Sequence, residues 1–173
     1  PLVDIRTRLV GQSTVELFTV KTTTETYWRI TSLDRFDGTI WSSLSNYRPA
    51  GARLPAVAAN ASRGETEKSV QEFEISGLAS IWLPAAYRPE RLSPTGKVRF
   101  DPDSGSLATD KATSDGLKYT VESALPRLTA GDLTSVAAAV PADIAARYLE
   151  LPNNLSRQVR RTTCKPRDRN APS

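Results

Sequence analysis

The sequence predicts a mainly β domain, an antiparallel β-sandwich or open barrel, followed by one or two short C-terminal helices. Three observations predict it. Segments such as 70–75 and 117–121 alternate apolar with charged or polar residues, giving one dry face and one wet face, as half-buried antiparallel strands do. Asp37-Gly38 sits between apolar residues and is a strong short-range hairpin signal. Near Asp132 the composition turns alanine-rich, and Pro141 and Pro152 divide the C-terminal stretch into helix-length pieces.

Taken in order, Val15–Val20 is a run of good strand formers. In Thr26–Thr31, Trp28 and Ile30 share one face, with Tyr27, Arg29 and Thr31 on the other. The Asp37-Gly38 turn folds Arg35–Trp41 back on itself and returns Ile40 and Trp41 towards Ile30–Leu33. Trp28 and Trp41 are expected in the core, where large aromatics contribute most. Ser45–Lys68 holds Tyr47, Leu54 and Val57 as its large apolar residues, interrupted by Pro49, Gly51, Pro55 and Gly64. It is expected to be a long mobile connection. Strands resume at Val70–Ile75, with Phe73 and Ile75 opposite Glu72 and Glu74. Ile81–Tyr87 is expected to form an exposed apolar ridge. Val98 and Phe100 alternate with Lys97 and Arg99, and Asp101–Gly105 is a turn leading into a return strand at Leu107. Leu117, Tyr119 and Val121 alternate with Lys118, Thr120 and Glu122. Ala142–Leu149 is expected to be a helix with Ile144, Tyr148 and Leu149 facing the core. A second helix would start at Asn153 or Asn154 and carry Leu155 and Val159. This divides the chain into a β-rich domain over residues 1–130, a helical segment over 131–162 and a disordered tail over 163–173.

The composition excludes several chemistries. The chain has no histidine, so catalysis based on imidazole, imidazole-ligated metals and histidine pH switching are absent from it. Its single cysteine, Cys164, permits neither an internal disulfide nor a multi-cysteine zinc site. The chain starts at Pro1 and has no methionine, which reads as a segment of a longer polypeptide. The formal charge of +4 is uneven: the excess of basic residues lies from Arg157 onward, and the preceding residues carry slightly more acid than base. A nucleic-acid surface needs cations spread over a folded face, so none is expected. No apolar run approaches the roughly 18 residues of a membrane-spanning helix.

The candidate sites are few. Cys164 is the only candidate nucleophile and lacks a base, so it reads as an incidental thiol. Glu72 and Glu74 share a strand face, an ordinary arrangement for a wet face rather than a pair flanking a cleft. Asp101-Pro-Asp-Ser-Gly105 resembles the opening of a calcium loop but lacks its later ligands, so no metal and no cofactor are expected. No phosphate-cradling glycine pattern occurs. Trp82, Pro84 and Tyr87, on the Ile81–Tyr87 ridge, are the expected docking or ligand surface.

Several sequence words occur in one order: Pro1–Arg6, Val15–Val20, Tyr27–Trp41, Trp82–Tyr87, Leu117–Val121 and Tyr148–Pro152. Together they resemble the extracytoplasmic N-terminal region of bacterial membrane-anchored transglutaminase-like proteins of the TgpA type, over about residues 1–160, with residues 27–41 the most specific part. The resemblance implies membrane helices before this region, a transglutaminase-like core after it, and tethering to the cell membrane outside the cytoplasm. The family's catalytic cysteine, histidine and aspartate belong to that core, and none maps onto this chain. The implied role is a non-catalytic accessory domain that positions or contacts the core. A module binding a cell-envelope glycan or peptide through Trp82, Tyr87 and the Ser45–Lys68 segment is the alternative, and an enzyme working through carboxylates is a third.

Overall fold

The computed structural model describes residues 14–44, 46–56, 65–94, 96–134, 140 and 142–152. Among them twelve strands and two short helices are formed. The first four-stranded sheet contains β1 (Phe18–Thr22), β6 (Thr66–Ile75), β12 (Lys118–Pro126) and β9 (Pro89–Ser93), in the order β1-β6-β12-β9. The second contains β5 (Arg48–Pro49), β10 (Val98–Asp101), β11 (Ser106–Thr109) and β7 (Trp82–Leu83), in the order β5-β10-β11-β7. The recorded pairings in both are antiparallel. Two smaller ribbons pair β2 (Trp28–Arg29) with β8 (Ala85–Ala86) and β3 (Arg35–Phe36) with β4 (Trp41–Ser42).

Alternation fixes which face of each sheet is dry. Along β6, Ser69, Gln71, Phe73 and Ile75 are buried, while Lys68, Glu72 and Glu74 are exposed. The register sets Val20 beside Phe73 and Phe73 beside Tyr119, so three strands contribute to one inner row. The Phe73 and Tyr119 rings stack with centroids 5.1 Å apart, and Trp28 meets Phe73 edge-on at 6.3 Å. From the second sheet, Leu83, Val98, Phe100 and Leu107 enter the same cluster. The described residues therefore form a sandwich around one apolar core, and among them no closed barrel forms. Burying each such large side chain contributes about 1.5–3 kcal/mol.

The outer face of the first sheet carries opposite charges across strands. Lys118 pairs with Glu74 at 2.8 Å, and Glu72 lies between Lys21 and Thr120 in register. Glu72 and Glu74 are thus an ordinary solvated face, as the sequence suggested.

Four expectations are corrected. Residues 46–56 are not a free loop. Arg48–Pro49 pairs with β10, the Leu54 N–H donates to the Glu90 carbonyl, and Leu54 is buried. Backbone pairing compensates there for a sparse apolar pattern. Trp41 is not in the core: the β3–β4 hairpin pairs only with itself, and Trp41 stacks on Phe36 while 43% exposed. The Ile81–Tyr87 segment is not an exposed ridge. It supplies two strands to two different sheets, and Trp82 and Pro84 are buried. A continuous apolar run suits a strand covered on both faces. Finally, the helix expected over Ala142–Leu149 forms as α2 (Ala142–Tyr148), preceded by a short α1 (Ala130–Thr134) that was not expected, but Tyr148 and Leu149 are exposed rather than core-facing. Pro141, the expected helix at 153–159, Cys164 and the tail lie outside the described residues.

Candidate functional site

The structure disperses the expected docking residues. Trp82 pairs opposite Ala108, and its backbone N–H donates to the Ser80 hydroxyl. The Pro84 carbonyl accepts the buried Tyr119 hydroxyl at 2.7 Å. Both residues hold the sandwich together and offer no surface. Tyr87 is half-buried, with Arg88 and Arg29 close enough for their charges to bear on its phenol.

Arg29 is the centre of the polar cluster that sequence alone did not single out. Alternation put it on a wet face, opposite Trp28. The short β2–β8 ribbon instead holds it against the turn after β10, and it is half-buried. Its Nη2 donates to the Ser104 carbonyl at 2.5 Å. That turn is itself fixed from within. The Asp101 carboxylate is fully buried and accepts the Ser104 hydroxyl at 2.7 Å and the Asp103 N–H at 3.2 Å. The Gly105 N–H donates to the Asp101 carbonyl, and Gly105 takes the left-handed conformation, φ 70°, that a side chain would resist.

Burial lowers the Arg29 pKa from its ordinary value, and the surrounding Tyr87, Tyr148, Tyr47 and Asp101 act in the opposite direction. Tyr47 is raised by its own burial, beside the side chains of Trp82 and Ser106. Three phenols, one carboxylate and one guanidinium thus share a neighbourhood drawn from β2, the segment before β5, the segment after β8, the β10–β11 turn and α2.

The hydrogen bonds of the cluster link β2 to the turn after β10. No group of three or more histidine, cysteine, aspartate or glutamate residues is placed to hold a metal among the described residues. In the Asp101–Gly105 turn, Asp101 is occupied by Ser104 and Asp103, as a turn requires. No helix among the described residues is long and apolar enough to cross a membrane.

Fold and cluster together define a β-sandwich module whose central polar groups serve to fix segments in place. Residues 3–130 match the family model of the TgpA N-terminal domain, and the chain belongs to that family. No curated protein and no solved structure matches it. The match covers the strands and stops at the start of α1.

Proposed function

We propose that the chain is the accessory region of a transglutaminase-like protein, without catalysis of its own, and that it positions or contacts the catalytic core of the same polypeptide. The family match over residues 3–130 carries this reading. The helical segment over 131–162 would be the connection to that core. In this reading the region lies outside the cytoplasm, tethered by membrane helices flanking it, and needs neither cofactor nor nucleic acid. The alternative, a cell-envelope glycan or peptide module on Trp82, Tyr87 and the Ser45–Lys68 segment, has less support, because Trp82 is buried and residues 48–54 are paired into the fold.

The test is turnover. The chain should neither incorporate a primary amine into a glutamine-bearing acceptor nor cleave peptides. Turnover that disappears in a Cys164→Ala variant would overturn the reading.

A further inference from the structure

A second feature lies beyond the Arg29 cluster, at the β9 edge of the first sheet. A cleft of about 610 Å³ opens between β9 and the segment at 53–56. Its charged lining is Arg53, Lys68, Arg88, Arg91, Glu90 and Glu122, over a partly apolar floor that includes Leu54 and Pro89.

Two details of the backbone make this lining unusual. Arg53 and Arg91 face each other directly across an antiparallel bridge. Like charges in that position repel at close range and destabilise the pairing. Arg88 adopts a left-handed conformation, φ 55°, which a side chain disfavours and which the proline after it disfavours further. Its carbonyl accepts the Ala124 N–H at 3.0 Å, which holds the chain in that conformation.

The ion pairs leave charge unmatched. Glu122 is shared by Lys68, at 2.6 Å, and Arg91, at 3.9 Å. Arg53 and Arg88 have no carboxylate within salt-bridge distance among the described residues, and neither does Glu90 have a cation. Two planar guanidinium groups on a shared cleft suit oxyanions that each can grip through paired N–H donors.

We propose that this cleft binds an acidic peptide segment of a partner. The apolar floor suits side chains between the acidic ones. Glu90 and Glu122 would repel a dense phosphate polymer but tolerate a peptide of mixed polarity. The proposal is independent of the accessory role.

The test uses the whole chain at low ionic strength and fluorescence anisotropy. The probes are a dye-labelled octapeptide alternating Asp and Leu, its Lys–Leu counterpart, and inorganic tripolyphosphate as a competitor. The Asp–Leu peptide should bind and the Lys–Leu peptide should not. Arg53→Gln should weaken binding at least tenfold. Arg88→Gly should do the same while keeping the fold, because glycine accepts the left-handed backbone. Lys118→Gln, on the outer face of the sheet, should leave affinity unchanged. Three results would each overturn the proposal: no binding of the acidic peptide at millimolar concentration, equal weakening by Lys118→Gln, or displacement of the peptide by tripolyphosphate at lower concentration than unlabelled peptide.

Discussion

Tyr119 shows how one residue ties the two layers together. Its ring stacks on Phe73, and its hydroxyl donates to the Pro84 carbonyl inside the core. Removing that hydroxyl in Tyr119→Phe should cost about 1–2 kcal/mol, read from denaturant midpoints, because a buried carbonyl loses its donor. Burial also raises the phenol's pKa well above the ordinary tyrosine value of 10.0. The folded state therefore holds this proton more tightly than the unfolded state does. The resulting stability is complete below the ordinary value and declines as pH rises beyond it. Tyr47 shifts in the same direction, also through burial. Tyr119→Phe should thus flatten part of the alkaline loss of stability, and an unchanged slope above about pH 10 would refute the assignment. The tryptophans divide just as sharply. Trp82→Ala should cost about 3–5 kcal/mol, as buried aromatic truncations do, whereas Trp41→Ala should cost about 1 kcal/mol or less, chiefly its stacking on Phe36.

At the scale of elements, the β3–β4 hairpin gives the cleanest local test. Gly38 sits at φ 105°, and the Asp37 carboxylate accepts the N–H groups of Thr39 and Ile40, both at 2.8 Å. Those bonds, Ile40's first, lower the Asp37 pKa below 3.8. Their contribution is present above that ordinary value and is lost as pH falls through the folded one. Trp41 emission should therefore shift to longer wavelength in acid before the sandwich unfolds. Asp37→Ala should produce that shift at neutral pH, and an unshifted spectrum would show that the carboxylate does not hold the turn. The hairpin was legible because its chemistry is local, and so were β6, β10 and β12, where each wet face carries charge. Other elements were not. The Ile81–Tyr87 run is apolar throughout, so no period marks its strands, and its proline obscures that two sheets share it. Residues 48–54 pair through backbone bonds to β10 and β9, which no side-chain pattern announces.

For the whole molecule, the sandwich and its single core come from alternation, but the sites come from contacts between distant segments. The family words in the sequence placed the chain with the TgpA N-terminal domain. They said nothing of Arg29, whose hydrogen bond is to the distant Ser104 carbonyl, or of Arg53 facing Arg91. Arg29→Ala should leave the core intact while raising amide exchange at Asp103 and Gly105, since the turn loses the guanidinium bond to its Ser104 carbonyl. Exchange there equal to that of the parent chain would mean that the turn does not depend on Arg29. The proposed accessory role is tested most directly by comparing kcat/KM for amine transfer by the proposed transglutaminase-like core, made with and without this region. The account predicts that removing the region lowers kcat/KM while the region alone stays inactive. A core whose kcat/KM is the same in both forms would contradict it.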